Sequence, residues 1–306
     1  CGGWKYCLET QSENDLPLTW FGAWNATIQP KLDRLLVTSA EQREGWSGDN
    51  GLLLVMAGDS TMNHQFQVLS EMLHYRSDFY PVQGADAESM YELTFGAPKN
   101  TPGSVTFIYI RVFEACVLSP SNPHLANAYA HYFGCGMHLF HMTPLQGPAM
   151  MALALKSWIS YDTLLTERVK GIRKVNPGIK QIYATTHTID EAKYTGRWRL
   201  AIDGYAARDP EYLDACKAKF NEFLPKDCTE RGNVEQACLD TVFGERAVEL
   251  LNARGLAAMK AAGVPVVPAH LIVAGEAWAT PLADGRHYPH VVPLELFWFL
   301  TTLEGA

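Results

Sequence analysis

A serine hydroxyl becomes a strong nucleophile only when a base takes its proton, and this chain carries both groups. Ser60 closes the run Leu52-Leu53-Leu54-Val55-Met56-Ala57-Gly58-Asp59-Ser60, and Asp284-Gly285-Arg286-His287 lies near the other end. In a D-x-x-H spacing the Asp284 carboxylate can orient and stabilise the His287 imidazole, while the imidazole accepts the Ser60 proton. The chemistry of such a set is attack on an ester carbonyl with formation of an acyl-serine. A competing reading makes Gly58-Asp59-Ser60 an ordinary turn, in which Asp or Ser caps the next helix, and leaves Asp284 and His287 in a solvated loop.

The elements around these residues must bring them together. Six apolar residues bounded by Gly51 and Gly58 predict a buried parallel strand, and Met62 to Tyr75 predicts a helix. Ser60 then sits in a strand-to-helix turn, where unpaired N–H groups with partial positive charge suit an oxyanion. Further strands are predicted near Asp78 to Val82, Val105 to Val112, Ile179 to Thr186 and Val264 to His270. Helical stretches lie at Ala149 to Val175 and Val234 to Ala262. This alternation predicts an α/β fold, a three-layer α/β/α arrangement with a central, mostly parallel sheet in flavodoxin-like order. Ligands of such sheets bind beyond the carboxyl ends of the strands, the edge to which Ser60 and Asp284 both project.

Residues 1–306 are read as one domain. Residues 1–50 carry Trp4, Trp20, Trp24 and Trp46 and a helical period only over Lys31 to Arg43, which predicts an N-terminal wrapping segment. Phe113 to Gly147 is too long for a simple connection and predicts an insertion over the catalytic edge. Its Tyr129, Tyr132, Phe133 and Phe140 could offer flat faces to sugar rings or pack beneath the loop.

Gly58-Asp59-Ser60, Asp284-Gly285-Arg286-His287-Tyr288-Pro289 and the strand order between them resemble the SGNH or GDS-type hydrolases and acyltransferases. Within that superfamily the chain looks most like the branch of PC-esterase domains and trichome-birefringence-like polysaccharide O-acetyltransferases. The resemblance covers most of the chain in topology and about ten residues in motif. It implies Ser60, Asp284 and His287 as the catalytic set, acetyl as the acyl group, and a carbohydrate or other acylated small molecule or polymer as substrate. Transferase and esterase share these residues, and the resemblance favours the transferase. A carbohydrate-binding or cell-surface protein without turnover is the rival class. The superfamily also supplies oxyanion donors from a Gly after its second strand and an Asn after its third. Here Gly84 follows the second predicted strand, whereas the third ends in Arg111-Val112-Phe113-Glu114 without an Asn. Arg111 or Asn63 could replace the missing amide. His187, closing the strand at Ile179 to Thr186, could line the pocket, act as a rival base or be a hydrogen-bonded structural residue. Trp278 could help to close the cleft.

His124, His131, His138 and His141 match no common zinc spacing, and no H-E-x-x-H occurs, so no metal is expected. Glycine-rich nucleotide-binding patterns are absent, and no cofactor is expected. A net charge of −8 without a basic patch argues against nucleic acid. No run of 18 apolar residues occurs, so no membrane span is expected in this chain. Seven cysteines, Cys1, Cys7, Cys116, Cys135, Cys216, Cys228 and Cys238, include no C-x-x-C pair. With the Asn25-Ala26-Thr27 sequon they predict three disulfides, one free thiol and a secretory-lumen or extracellular location. Buried free thiols in a cytosolic protein are the alternative. The start at Cys1 leaves room for a removed signal or anchor.

Overall fold

The computed structural model describes residues 18–41, 51–74, 76–84, 90–112, 117–134, 137–140, 158–223, 234–276, 280, 285–288 and 290–306. The apolar run ending at Gly58 forms strand β1 (Leu52–Gly58), buried along almost its whole length. Around it stand β2 (Phe79–Gly84), β3 (Met90–Gly96), β4 (Ser104–Arg111), β5 (Ala130–Gly134), β6 (Lys180–Ala184) and β7 (Val266–Val267), in the sheet order β2-β3-β4-β1-β5-β6-β7. The five strands from β4 to β7 in this order pair in parallel. Numbered among themselves along the chain they run second, first, third, fourth, fifth, which is the predicted flavodoxin-like order. β2 and β3 add an antiparallel hairpin at one edge.

Helices cover both faces because both faces are apolar. On one side Val55, Ala57, Phe133 and Tyr183 meet α3 (Tyr161–Val175) and α7 (Glu245–Ala262) through Leu165, Val169, Val248 and Leu251. On the other, Leu54, Met56, Phe107 and Tyr132 meet α1 (Leu18–Glu41), α2 (Ser60–His74) and α9 (Val292–Gly305). The strand period of two thus feeds two cores from one central strand. The remaining helices are α4 (Gly196–Ala206), α5 (Pro210–Phe223), α6 (Val234–Asp240) and α8 (Ala269–Val273).

Several sequence expectations are corrected. The helix expected from Lys31 starts at Leu18 and runs through Pro30. The stretch Val234 to Ala262 is two helices, α6 and α7, broken at 241–244. Of the strand expected over Val264 to His270 only Val266 and Val267 pair, and His270 belongs to α8. The span 113–147 contains β5, paired with β1 along the middle of the sheet. Its Tyr129, Tyr132, Phe133 and Phe140 are all buried, so they are core residues and offer no exposed face to a sugar. Tyr132 stacks on Phe299 of α9 at 4.1 Å between ring centroids.

Cys216 of α5 is bonded to Cys238 of α6 across a separation of 22 residues. The other five cysteines lie outside the described residues. Closing a loop of this length in the unfolded chain stabilises the folded one by about 3 kcal/mol on chain-entropy grounds. The double variant Cys216→Ala, Cys238→Ala should therefore lose about that much unfolding free energy in urea; an unchanged midpoint would show that the small core around this bridge carries itself. Asn25 of the sequon lies within α1, where its Oδ1 accepts from Gln29 Nε2 at 3.0 Å. Among the described residues no helix is long and apolar enough to cross a membrane.

Candidate active site

Ser60 Oγ stands 2.8 Å from His287 Nε2, which joins the two sequence fragments at the carboxyl end of β1. This is the point where the strand order reverses, with β4 on one side and β5 on the other. Both side chains are half-buried.

The turn that presents Ser60 follows from its three residues. Gly58 faces Gly134 across the sheet, and a Cβ there would lie 2.2 Å from the Gly134 carbonyl oxygen and 2.7 Å from Met62 Cβ. Only glycine lets β1 end so close to β5. Asp59, fully buried, is the N-cap of α2: its Oδ1 accepts from Thr61 N at 3.0 Å and from Thr61 Oγ1 at 2.8 Å. Ser60 is thereby left at the first helical position with its Oγ committed to neither cap nor core. Its N–H belongs to the helical turn whose donors lack intrahelical partners.

Tyr109 of β4 buttresses this turn, its hydroxyl donating to the carbonyls of Gly58 at 3.1 Å and Asp59 at 3.0 Å. Burial, reinforced by the Asp59 carboxylate, pushes the phenol pKa upward and keeps it a neutral donor. Tyr109→Phe should cost about 1 kcal/mol. Neither carbonyl would be orphaned, because Gly58 retains Val112 N–H at 2.9 Å and Asp59 retains Asn63 N–H at 3.1 Å. Chemical denaturation checks this; a loss beyond about 3 kcal/mol would mean that the phenol supports more than these bonds.

The loop carrying His287 is docked by its backbone. Gly285 adopts φ +65°, where its carbonyl accepts from Asp190 N–H at 2.7 Å and a Cβ would meet the Asp190 carbonyl at 2.4 Å. The Arg286 carbonyl lies 3.3 Å from His187 Nδ1. Tyr288 is buried with its ring edge-on to His187 at 5.7 Å.

The sequence candidates divide. Ser60 and His287 are brought together; Asp284 and Trp278 lie outside the described residues. Arg111 is paired in register with Gly58, two residues before Ser60. Asn63 lies one turn beyond Ser60, on the same side of α2. Gly84 does not join them. It ends the outermost strand, three strand spacings from β1, or roughly 14 Å across the sheet, far beyond the reach of an oxyanion donor. The second predicted strand belongs to the added hairpin, so its glycine, level with Met56 through Tyr91 and Tyr109, is displaced sideways from β1. His187 is only 2% exposed, with Glu295 Oε1 2.7 Å from its Nε2 and the Arg286 carbonyl 3.3 Å from its Nδ1, an environment that fits the hydrogen-bonded alternative.

Three further groups escaped the sequence reading. His64, four residues after Ser60 on α2, has its ring 4.7 Å from that of His287, and the helical i, i+4 spacing could have found it. His138 follows β5 in a short 3₁₀ turn. Burial lowers its pKa; the charge of Asp59 opposes that, while Arg111, Arg286 and His287 add to it. Glu295, fully buried on α9, places Oε1 2.7 Å from His187 Nε2. It is the lone charged residue between Val292 and Leu303 of an otherwise apolar helix, a pattern legible in sequence. Among the described residues no group of three His, Cys, Asp or Glu side chains could hold a metal ion.

No family model and no curated protein sequence matches this chain. Among solved structures it is similar to the periplasmic domain of a lipopolysaccharide acetyltransferase from Salmonella ser. Paratyphi A, with 11% identity, a TM-score of 0.36, and 89% of this chain and 94% of that one covered. It is also similar to a peptidoglycan O-acetylesterase, with 9% identity, a TM-score of 0.37, and coverage of 90% and 97%.

Proposed function

We propose that this chain is a serine-dependent acyl-ester enzyme working through an acyl-Ser60 intermediate, with a carbohydrate hydroxyl as acyl acceptor. The observation that carries the reading is Ser60 Oγ at 2.8 Å from His287 Nε2, at the N-terminus of α2 and the switch point of a parallel sheet. In the first step His287 Nε2 takes the hydroxyl proton while Oγ bonds to the ester carbonyl carbon, and the carbonyl π pair moves onto oxygen. The helix start, through the Ser60 N–H, holds that oxyanion, and Arg111 is assigned as the neighbouring cation. As the oxyanion collapses, the bond to the leaving alcohol breaks and His287 returns the proton to it. In the second step His287 deprotonates an acceptor hydroxyl, which attacks the acyl carbon, and Ser60 leaves with its proton restored. Asp284, three residues before His287, is assigned as the carboxylate that orients the imidazole.

Acetyl and carbohydrate come from the motif resemblance of Gly58-Asp59-Ser60 and Asp284 to His287. O-acetyltransferase and O-acetylesterase differ only in whether a sugar hydroxyl or water intercepts the acyl-enzyme, and the same resemblance favours the transferase. The Cys216–Cys238 bridge supports an oxidising, secretory or extracellular setting.

The test is intact mass spectrometry after mixing the protein with p-nitrophenyl acetate, with and without oligosaccharide. An adduct of about 42 Da, one acetyl replacing a proton, is expected on the protein. Its discharge onto sugar identifies the transferase and its discharge to water the esterase. No adduct and no nitrophenol release with any acyl donor would leave a carbohydrate-binding protein as the better reading.

A further inference from the structure

Below the loop that carries His287 lies an ion pair with no part in the steps above. His187 and Glu295 are 2% and 0% exposed, and their charged atoms are 2.7 Å apart. Two buried charges cost more in desolvation than such a pair commonly returns, so an apolar pair of the same shape would serve stability as well. What the pair does contact is specific. His187 Nδ1 faces the Arg286 carbonyl at 3.3 Å, and its ring meets the buried Tyr288 edge-on. Arg286 and Tyr288 are the two neighbours of His287. Glu295 is itself anchored, its Oε2 accepting from Gln65 Nε2 at 2.7 Å, and Gln65 lies on α2, the helix that begins at Ser60.

We propose that His187 and Glu295 are positioning residues that set the imidazole of His287 against Ser60: Glu295 ties His187 to the nucleophile's own helix, and His187 grips both neighbours of His287. The role rests on the acyl-enzyme reading for its consequence in turnover and on geometry alone for its structural part. An ionised carboxylate and a carbonyl both only accept, so His187 can serve both at once only with two ring N–H groups, as an imidazolium. Burial opposes that charge, but the attraction and hydrogen bond of Glu295, with the Arg286 carbonyl, outweigh it and hold the pKa above its ordinary value. Among the described residues, the pair also interacts with Asp59 from the end of β1, Tyr132 from β5 and Tyr288 from the loop. Because the folded state holds this proton more tightly than the unfolded chain, the stabilisation is full below the unfolded pKa and is lost as pH rises through the folded one. Above that point a neutral His187 has one N–H and cannot serve both Glu295 and Arg286.

The test combines Glu295→Gln with the side-chain NMR of histidine in 15N-labelled protein. Glu295→Gln keeps the shape but removes the charge that retains the second proton. It should lower kcat about 10- to 100-fold, as an angstrom-scale misplacement does, with KM within about twofold. The His287 ring resonances should move, and Glu295→Asp, which restores the charge, should recover part of the loss. A folded Glu295→Gln with wild-type kcat and unmoved His287 resonances would overturn the proposal. If that variant does not fold, the wild type decides: the His287 resonances must shift in step with the deprotonation of His187 as pH rises, and His287 resonances that do not follow it overturn the proposal. Absence of Ser60-dependent turnover in the wild type would refute the enzyme reading instead, and the same NMR titration would still judge the positioning role.

Discussion

Ser60→Ala should abolish acyl-adduct formation and lower kcat by about four to six orders of magnitude, the range seen when a serine nucleophile is removed from a catalytic unit. The fold should survive. Asp59, not Ser60, caps α2 through Thr61 N and Oγ1, so the helix start does not depend on the serine hydroxyl. Ser60 is half-buried, and its hydroxyl engages His287 at 2.8 Å; alanine leaves a small gap at the edge of the sheet and no void in either core. The unfolding midpoint should therefore stay within about 1 kcal/mol of wild type. Intact mass with an activated acetyl ester reads the adduct, and a urea titration reads the fold. An adduct retained in a folded Ser60→Ala protein would move the nucleophile elsewhere and end the present assignment.

The parallel core was legible because its strands obey simple signals. Leu52 to Gly58 and Ser104 to Arg111 are long apolar or β-branched runs beside the switch point, and they pair over their whole length. β5 was hidden for a physical reason: it is five residues long, carries His131 at a fully buried position, and is flanked by Asn, Pro and His that read as loop. Missing it turned a central strand into an insertion and displaced the search for oxyanion groups onto the β2 hairpin. That is why Gly84 was named, and why His138, which follows β5, was considered only as a metal ligand. Pro30 similarly masked the first half of α1, since a proline inside a helical period reads as its beginning. β7 is only two residues long, so the apolar stretch around it overstated the strand. In the candidate site, the contact between Ser60 and His287 was legible because each residue lies in a short motif. His187 and Glu295 were less so, because their partnership spans more than 100 residues and only the fold brings them within 2.7 Å.

His287→Ala is the second large expected effect, and its logic differs from that of the serine. The nucleophile remains but loses the group that accepts its proton, so the loss should fall about three to five orders of magnitude below wild type and appear in kcat. Because the two residues act as one unit, Ser60→Ala combined with His287→Ala should be no slower than Ser60→Ala alone; additive losses would show that they work separately. His64 supplies the sharpest control. Its ring is 4.7 Å from that of His287. If it can act as a substitute base, adding His64→Ala must lower the residual rate of His287→Ala further. Near-wild-type kcat in His287→Ala that persists after His64→Ala would take the base away from this edge of the sheet altogether, and with it the case for an acyl-serine mechanism.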